Sequence, residues 1–409
     1  LTPPVSKAIE TFPGGDGHAP LSPCSIPDLL GTPLAMEMPG LPDSRHEGPE
    51  PHGQESHEYE IVTVAEGLQH PWAMAFLPGG DMLITERAGR LRILRDGVLL
   101  PDPVPGVPEV FARGQGGLLD IALHPDFGQN RLIYLSYSKP VEGGSESTTA
   151  VVRARFQDDS LLDLEEIFEA ESRGRGHYGS RLAFDSQGYL FITVGDRQAP
   201  PRGDLEAHPA QDLTNHHGVT VRLHDDGSVP ADNPFVDHPV ARPEIWSYGH
   251  RNAQGLTFDP ETGDLWLTEH GPQGGDELNL VLPGRNYGWP VIGYGVNYGS
   301  GSPIHEDTHR EGMEQPVHYW VPSIATSGLL LYTGDRFPNW KGSLFVGGLV
   351  GQQIARLTLD GHRVVGEETL VRNQGRIRDI RQGPEGLIYV ALDERGDGET
   401  TIFRLEPVG

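Results

Sequence analysis

The stretch LAFDSQGYLFITVGD, residues 182–196, decides the fold. Two short apolar runs flank an Asp-Ser-Gln-Gly turn and the second run ends at a polar residue, which is typical of a β-hairpin. Similar units start at residues 74, 121, 256, 329 and 377, so consecutive starts are 47 to 74 residues apart. That spacing suits a four-stranded blade with its loops. The repeats predict an all-β protein folded as a six-bladed β-propeller, with a β-sandwich or a two-domain β protein as the alternative.

The last repeat supplies only three obvious strands, the final one in TIFRLEP at residues 401–407. The run EYEIVTV at residues 58–64 can add the fourth strand. This pairing would join the first and last blades and remove an open sheet edge. We therefore expect one propeller domain over residues 58–409.

Residues 1–57 have a different composition, with many Pro and Gly residues and no alternation of apolar and polar positions. Such a segment buries too little apolar surface to offset the entropy of ordering it. The sequence predicts an irregular N-terminal extension, on which the patch LLGTPLAMEM could still dock against the body. The chain begins at Leu1 without Met, which suggests a removed signal peptide or a trimmed chain.

The charge balance restricts the partners of the chain. It has 31 basic and 58 acidic residues, a formal net charge of −27, which argues against nucleic acid and anionic membranes as partners. A single cysteine, Cys24, excludes an intrachain disulfide and a Cys-based zinc or haem site. No apolar run is long enough to span a membrane. Nearly all basic residues are arginines, so local Arg clusters could still bind an anion.

Two glycine-rich motifs carry candidate active-site residues. In GQGGLLD, Gln115 stands among glycines before a strand, where its amide could bond a carbonyl or carboxylate group; an ordinary turn is the other interpretation. In GRGHYGSRLAF, His177 precedes one strand of a repeat, and Asp196 ends the next strand. Histidine is the usual general base near neutral pH. A merely exposed histidine is the alternative.

Two further motifs present arginines. SYGHRNAQGLTF places Arg251 and Asn252 before an inner strand, and such a pair suits carboxylate and quinone-like oxygens. In RIRDIR, Arg376 and Arg378 alternate with Ile377. Period-two alternation puts both guanidinium groups on one strand face, so they indicate a paired anion site. A solvated edge strand is the alternative.

The segment EHGPQGGDELNL, residues 269–280, combines glycines and a proline with acidic side chains. Calcium prefers oxygen ligands, including carboxylates and the backbone carbonyls of irregular loops. Gly271 and Pro272 could offer carbonyls, and Asp276 and Glu277 could offer carboxylates. Zinc bound through His270 is the rival hypothesis, but partner histidines at metal spacing are missing. Calcium is favoured.

Six motifs in order produce a family resemblance between about residue 58 and residue 406. They are GQGGLLDIALHPDF, HYGSRLAFD with ITVGD, SYGHRNAQGL, EHGP and GDELN followed by NYGWP, PSIATSG, and RIRDIRQGPEG. Together they resemble the soluble aldose sugar dehydrogenases that depend on pyrroloquinoline quinone (PQQ), relatives of soluble quinoprotein glucose dehydrogenase. The resemblance also implies a six-bladed propeller.

The resemblance implies roles for individual residues. His177 looks like the catalytic base, with Asp196 as its neighbour in the sugar site. The positions similar to PQQ-binding residues are Gln115, Arg251, Asn252, Tyr298, Arg376 and Arg378. The carbonyls of Gly271 and Pro272 match those that hold the calcium under the cofactor, while Glu277 and the carbonyl of Tyr287 match a second, structural calcium site. Val350 stands where the glucose dehydrogenase branch has a lysine, so the sequence is closer to the aldose dehydrogenase branch.

The expected function is oxidation of the C1 hydroxyl of aldose sugars to lactones, with hydride transfer to calcium-bound PQQ. Electrons would pass to an external acceptor such as a quinone, a dye or a cytochrome, because the chain has no CxxCH haem motif. The resemblance further implies a periplasmic or secreted monomer or homodimer. Two rival hypotheses stay open: a calcium-dependent lactonase on a similar propeller, and a non-catalytic propeller that binds proteins or glycans.

Overall fold

The computed structural model describes residues 56–396 and 398–408. Within these residues, 24 strands form six four-stranded antiparallel sheets. Each sheet is one blade, so the predicted six-bladed β-propeller is confirmed. The predicted N-terminal extension, residues 1–57, lies outside the described residues except for its last two. No helix in the described ranges is long and apolar enough to cross a membrane.

The strands follow the chain blade by blade after β1 (Tyr59–Leu68). Blade 1 contains β2 (Pro71–Phe76), β3 (Met82–Glu86), β4 (Arg90–Arg95) and β5 (Val98–Leu99). Blade 2 contains β6 (Leu118–Leu123), β7 (Leu132–Pro140), β8 (Ser147–Gln157) and β9 (Ser160–Glu169). Blade 3 contains β10 (Leu182–Phe184), β11 (Leu190–Val194), β12 (Val219–Leu223) and β13 (Ile245–Tyr248). Blade 4 contains β14 (Ala253–Phe258), β15 (Leu265–Glu269), β16 (Asp276–Val281) and β17 (His318–Trp320). Blade 5 contains β18 (Thr326–Leu331), β19 (Leu344–Gly348), β20 (Gln353–Asp360) and β21 (Arg363–Leu370). Blade 6 contains β22 (Ile377–Gln382), β23 (Ile388–Leu392) and β24 (Thr400–Pro407). Short helical turns occur at Phe127–Asn130 (α1), Leu205–Ala207, Pro209–Gln211 and Pro338–Trp340.

The hairpin predicted within residues 182–196 is present. Leu182 of β10 lies opposite Ile192 of β11. In the turn between them, Asp185 Oδ1 accepts hydrogen bonds from the backbone N–H groups of Gln187 and Tyr189, both at 2.9 Å. Gly188 has a φ of +87°, a conformation that glycine adopts without steric cost. The Asp and Gly of the repeat are therefore turn-forming residues.

The ring closes through the chain's first described strand. β1 pairs antiparallel with β24, with Tyr59 opposite Pro407 and Ile61 opposite Leu405. β24 in turn pairs with β23. The fourth strand of the last blade thus comes from residues before the first blade, as the sequence predicted, and this pairing covers the outer edge that three strands would leave open.

The hydrophobic core lies between neighbouring blades. The second strands β3, β11, β15, β19 and β23 are buried along their whole length, which explains their near-continuous apolar sequences. Between the first two blades, for example, Trp72 and Leu83 pack in one cluster with Leu119 and Ile121. Each blade therefore depends on its neighbours to bury its faces.

A buried ion cluster crosses the propeller axis. Arg181, whose side chain is 2% exposed, donates to Asp379 at 2.9 Å. Arg381 donates to the other oxygen of Asp379 at 2.9 Å and to Asp120 at 2.7 Å. The guanidinium carbon of Arg181 lies 4.1 Å from the ring centre of Trp72. Two arginines and two aspartates from blades 2, 3 and 6 therefore compensate one another in the interior.

Replacement of Arg181 tests this cluster. Arg181→Met should lower the free energy of unfolding by about 3–5 kcal/mol, because it leaves a buried carboxylate charge uncompensated. The matched control is Arg155→Met, since Arg155 and its partner Asp163 are 37% and 72% exposed and the change should cost at most about 0.5 kcal/mol. Urea unfolding measures both. A loss below about 1 kcal/mol for Arg181→Met would show that the cluster does not hold the blades together.

Candidate functional site

The motif residues converge on one mouth of the propeller because of the strand directions. Each innermost strand begins at this mouth, and each second strand ends there. Asn252 and Arg376 directly precede the innermost strands β14 and β22, whereas Asp196 and His270 follow the second strands β11 and β15. Residues far apart in sequence thus meet at the same end of the ring.

His177 and Asp196 form a buried pair at this mouth. His177 Nδ1 lies 2.6 Å from Asp196 Oδ1, with their side chains 10% and 1% exposed. Burial lowers the pKa of His177 below its usual 6.5, although the Asp196 charge opposes this effect. Burial raises the pKa of Asp196, but its interactions with His177, Arg251 and the Gln198 N–H together hold that pKa below the usual value. The ring is therefore neutral near pH 7, with Nδ1 directed to a carboxylate.

A cavity of about 440 Å³ collects most of the residues predicted to bind a cofactor. Arg376 and Arg378 line it together, although a bulge interrupts the regular register between Ile377 and Asp379. The cavity is also lined by Gln115, Asn252, Tyr298 and Val350. Arg251 does not line it and faces the adjoining cavity instead.

The arginines at this mouth have unused hydrogen-bonding capacity. The Nε atoms of Arg87, Arg251 and Arg378 are buried and have no hydrogen-bond partner. Among the carboxylates that the structure describes, none forms an ion pair with Arg87, Arg251 or Arg376. Burial lowers the pKa of Arg378 to about 10. Because a buried cation without a charged partner is costly and Arg251 is only 8% exposed, this arrangement fits an anionic ligand with several acidic groups.

A second cavity of about 410 Å³ adjoins the first and contains the His177–Asp196 pair, Arg251 and Trp289. Gln115, His270 and Tyr298 line both cavities. Gln115 Oε1 accepts from the backbone N–H of His177 at 2.8 Å, and Tyr298 is 67% exposed. A ligand in the first cavity would therefore lie beside a substrate in the second.

The loop at Gly271 folds back on itself. A Cβ atom at Gly271 would lie 2.2 Å from the carbonyl oxygen of Gly275, so no larger residue fits there. Asp276 Oδ1 accepts from the Gly271 N–H at 3.0 Å. The Gly271 carbonyl, a predicted calcium ligand, accepts from Arg251 Nη1 at 2.6 Å. Arg251, which lines the second cavity, is thus bonded directly to this loop.

Glu277 and Tyr287 meet at a small cavity of about 20 Å³ behind that loop. Glu277 lies opposite Glu269 on the neighbouring strand, and Asn279 Nδ2 donates to both carboxylates at 3.1 Å. Burial and the charge of Glu269 raise the pKa of Glu277 to about 8. The buried Oδ1 of Asn279 has no partner. Two adjacent carboxylates and an orphaned acceptor favour a cation at this position.

His270 lies between these cavities rather than at a metal centre. Its Nε2 is 2.5 Å from the carbonyl oxygen of Thr326, and burial lowers its pKa to about 3. The described part of the chain contains no group of three or more His, Cys, Asp or Glu residues arranged to hold a metal. The geometry gives no support to zinc at His270, and a calcium site here has to include backbone or amide oxygens.

Several residues at the mouth were not predicted from the sequence. His70 Nδ1 lies 2.7 Å from Asp393 Oδ1, and Asp393 Oδ2 accepts from Arg378 at 3.3 Å. Gln254 Oε1 accepts from Arg378 at 3.0 Å. Trp289 belongs to the quoted NYGWP motif, which was the one available signal. His70 and Asp393 are 323 residues apart and carry no local signal.

Comparisons with known proteins agree on one family. The sequence model of the glucose/sorbosone dehydrogenase family matches residues 68–403. Aldose sugar dehydrogenase YliI of Escherichia coli is 45% identical over 342 residues, covering 82% of this chain and 90% of the relative. Quinoprotein glucose dehydrogenase B of Acinetobacter calcoaceticus is 27% identical over 419 residues, covering 84% and 87%.

Solved structures of sugar dehydrogenases are also similar to this chain. The apo form of the soluble aldose sugar dehydrogenase from Escherichia coli has a TM-score of 0.80 and 42% identity, and the match covers 86% of this chain and 100% of that structure. The PQQ-bound form of aldose sugar dehydrogenase from Streptomyces coelicolor has a TM-score of 0.68 and 29% identity, and the match covers 86% and 99%.

Proposed function

The chain belongs to the glucose/sorbosone dehydrogenase family, and from this premise we propose that it oxidises the C1 hydroxyl of aldose sugars to lactones. One observation carries the proposal. Arginines without carboxylate partners border a cavity that adjoins a buried His–Asp pair. An anionic redox cofactor and a proton acceptor would thus lie side by side.

The proposed cofactor is PQQ, a quinone with three carboxylate groups. Arg376, Arg378 and Asn252 line the cavity that would hold it, and Arg251 lines the adjoining cavity. Charge-assisted bonds from guanidinium to carboxylate are among the strongest polar contacts in proteins. The orphaned Nε atoms of Arg251 and Arg378 are the observation that fits this group. When bound, PQQ would accept the hydride that leaves the sugar C1.

His177 would supply the proton transfer. Its Nδ1 is engaged by Asp196, so Nε2 is the ring atom available to accept the proton of the C1 hydroxyl. The lowered pKa keeps the ring neutral and able to accept a proton near pH 7. Asp196 would then stabilise the imidazolium ion that forms.

Calcium at Gly271 and Pro272 fits only together with the cofactor. The two carbonyls carry no formal charge, and Gly271 already accepts a hydrogen bond from Arg251. Calcium needs six to eight oxygen ligands, which these residues alone do not supply. We therefore propose that the anionic cofactor contributes the remaining oxygens and that calcium and PQQ bind there as a unit.

The two rival hypotheses fit the site less well. A calcium-dependent lactonase would use carboxylates in the propeller channel, but Asp120 and Asp379 on the axis are engaged by Arg181 and Arg381. A binding module has no need of a buried His–Asp pair beside guanidinium groups that lack carboxylate partners. We also propose that electrons leave to an external acceptor and that the enzyme works in the periplasm or outside the cell.

Reconstitution tests the proposed reaction. Addition of PQQ and Ca²⁺ to the purified chain should produce aldose-dependent reduction of a redox dye, and His177→Gln should lower kcat about 10²-fold or more while PQQ still binds. His362→Gln, at a side chain that is 56% exposed, is the control and should leave kcat unchanged. Dye reduction that is absent despite bound PQQ and calcium would refute the dehydrogenase proposal, and lactone hydrolysis instead would favour the lactonase.

Calcium binding at the Glu277 cavity can be tested separately. Without PQQ, a hundredfold excess of Ca²⁺ over its Kd should stabilise the folded chain by about 2.7 kcal/mol, which calorimetry detects as a higher Tm. Glu277→Gln should remove this stabilisation because a carboxylate ligand is lost. Glu261→Gln, at an exposed loop position, should keep it. An equal calcium effect in Glu277→Gln would rule out this site.

A further inference from the structure

The indole group of Trp289 contacts the carboxylate of the His177–Asp196 pair. Its Nε1 donates to Asp196 Oδ2 at 2.8 Å. Asp196 Oδ1 accepts from His177 Nδ1 at 2.6 Å and from the backbone N–H of Gln198 at 2.9 Å. Three donors therefore hold this carboxylate, and Trp289 supplies the one on the oxygen that His177 does not contact.

The surroundings hold Trp289 itself in place. The residue is 6% exposed. Its backbone N–H donates to the Gly249 carbonyl at 2.8 Å, and its own carbonyl accepts from Gln211 Nε2 at 2.7 Å. The guanidinium carbon of Arg251 lies 5.1 Å from its ring centre. One rigid side chain thus contacts both the Asp196 carboxylate and an arginine of the proposed cofactor site.

We propose that Trp289 is a positioning residue whose N–H fixes the Asp196 carboxylate, so that Asp196 holds the His177 ring with Nδ1 protonated and Nε2 free for the substrate. This catalytic consequence rests on the proposed function, whereas the effect on His177 can be measured without cofactor or sugar. Trp289 also lines the second cavity, but its indole N–H is engaged by Asp196, so its proposed effect on His177 passes through that carboxylate.

The sign of the effect follows from electrostatics. Burial lowers the pKa of His177, and the negative charge of Asp196 raises it. The other charged or titratable groups that act on His177 are Arg197, Arg251 and His270. An N–H dipole on the carboxylate partly offsets its charge, so loss of this donor strengthens the attraction between Asp196 and a protonated ring. The pKa of His177 therefore rises when the indole N–H is removed.

The direct test is Trp289→Phe, which keeps an aromatic face under Arg251 but has no donor. In the full chain without cofactor, NMR should show the titration midpoint of His177 moving up by about 0.5 to 1 pH unit, with the His177→Gln spectrum assigning the signal. In the reconstituted enzyme, kcat should fall about 10-fold, the acid limb of its pH profile should move to higher pH, and PQQ affinity should stay unchanged.

Trp246→Phe is the matched control. The indole N–H of Trp246 has no hydrogen-bond partner, and the guanidinium carbon of Arg222 lies 4.9 Å from its ring centre, much like Arg251 at Trp289. This variant should leave the His177 midpoint and the pH profile unchanged. It therefore separates the loss of the N–H at Trp289 from a general cost of replacing a tryptophan.

A second variant covers the case in which Trp289→Phe does not fold. Incorporation of 3-benzothienylalanine at position 289 keeps the bicyclic shape and replaces the N–H with sulfur, and it should give the same upward shift. A His177 midpoint that stays at the value of the unsubstituted chain in a folded variant would overturn the proposal. An equal shift in Trp246→Phe would overturn it as well.

Discussion

The buried ion cluster on the propeller axis is the interaction on which the candidate site depends. Besides its bond to Asp379, Arg181 donates to the Gln254 carbonyl at 2.6 Å and to the Arg378 carbonyl at 3.1 Å. Gln254 and Arg378 both line the 440 Å³ cavity. The cluster that joins the innermost strands therefore also fixes the backbone at the base of this cavity.

Above this base, the local positive charge at the mouth differs in sign from the net charge of the chain. Its net charge is −27, yet Arg87, Arg251 and Arg376 face the mouth without a carboxylate partner among the described residues. Arg251 is buried, so the absence of a carboxylate partner is costly there unless a ligand supplies the negative charge. The neutral His177 beside them adds a proton acceptor. In the proposed reaction, separate, adjoining groups would bind the anion and take up the proton.

The sequence predicted the parts that depend on local pattern. The repeated Asp-Gly turns and apolar alternation identified the blades, and the short last repeat predicted that β1 completes the ring. The motif residues were recognised by type and Asp196 was expected beside His177, but their other partners were not predicted. The bond of Trp289 to Asp196 and that of His70 to Asp393 join different blades, so their geometry depends on how the ring closes. For the same reason the sequence could not show that the Gly271 carbonyl, a predicted calcium ligand, accepts a hydrogen bond from Arg251.

The affinity of the chain for PQQ, measured by isothermal titration calorimetry in the presence of Ca²⁺, tests whether the arginines at the mouth bind the proposed cofactor. Arg376→Gln should weaken binding about 10- to 100-fold, since a hydrogen bond to a charged group contributes about 1.5–3 kcal/mol. Arg363→Gln, at a side chain that is 77% exposed, should leave the Kd unchanged. Equal affinities in the two variants, or no binding to the unsubstituted chain, would contradict the account.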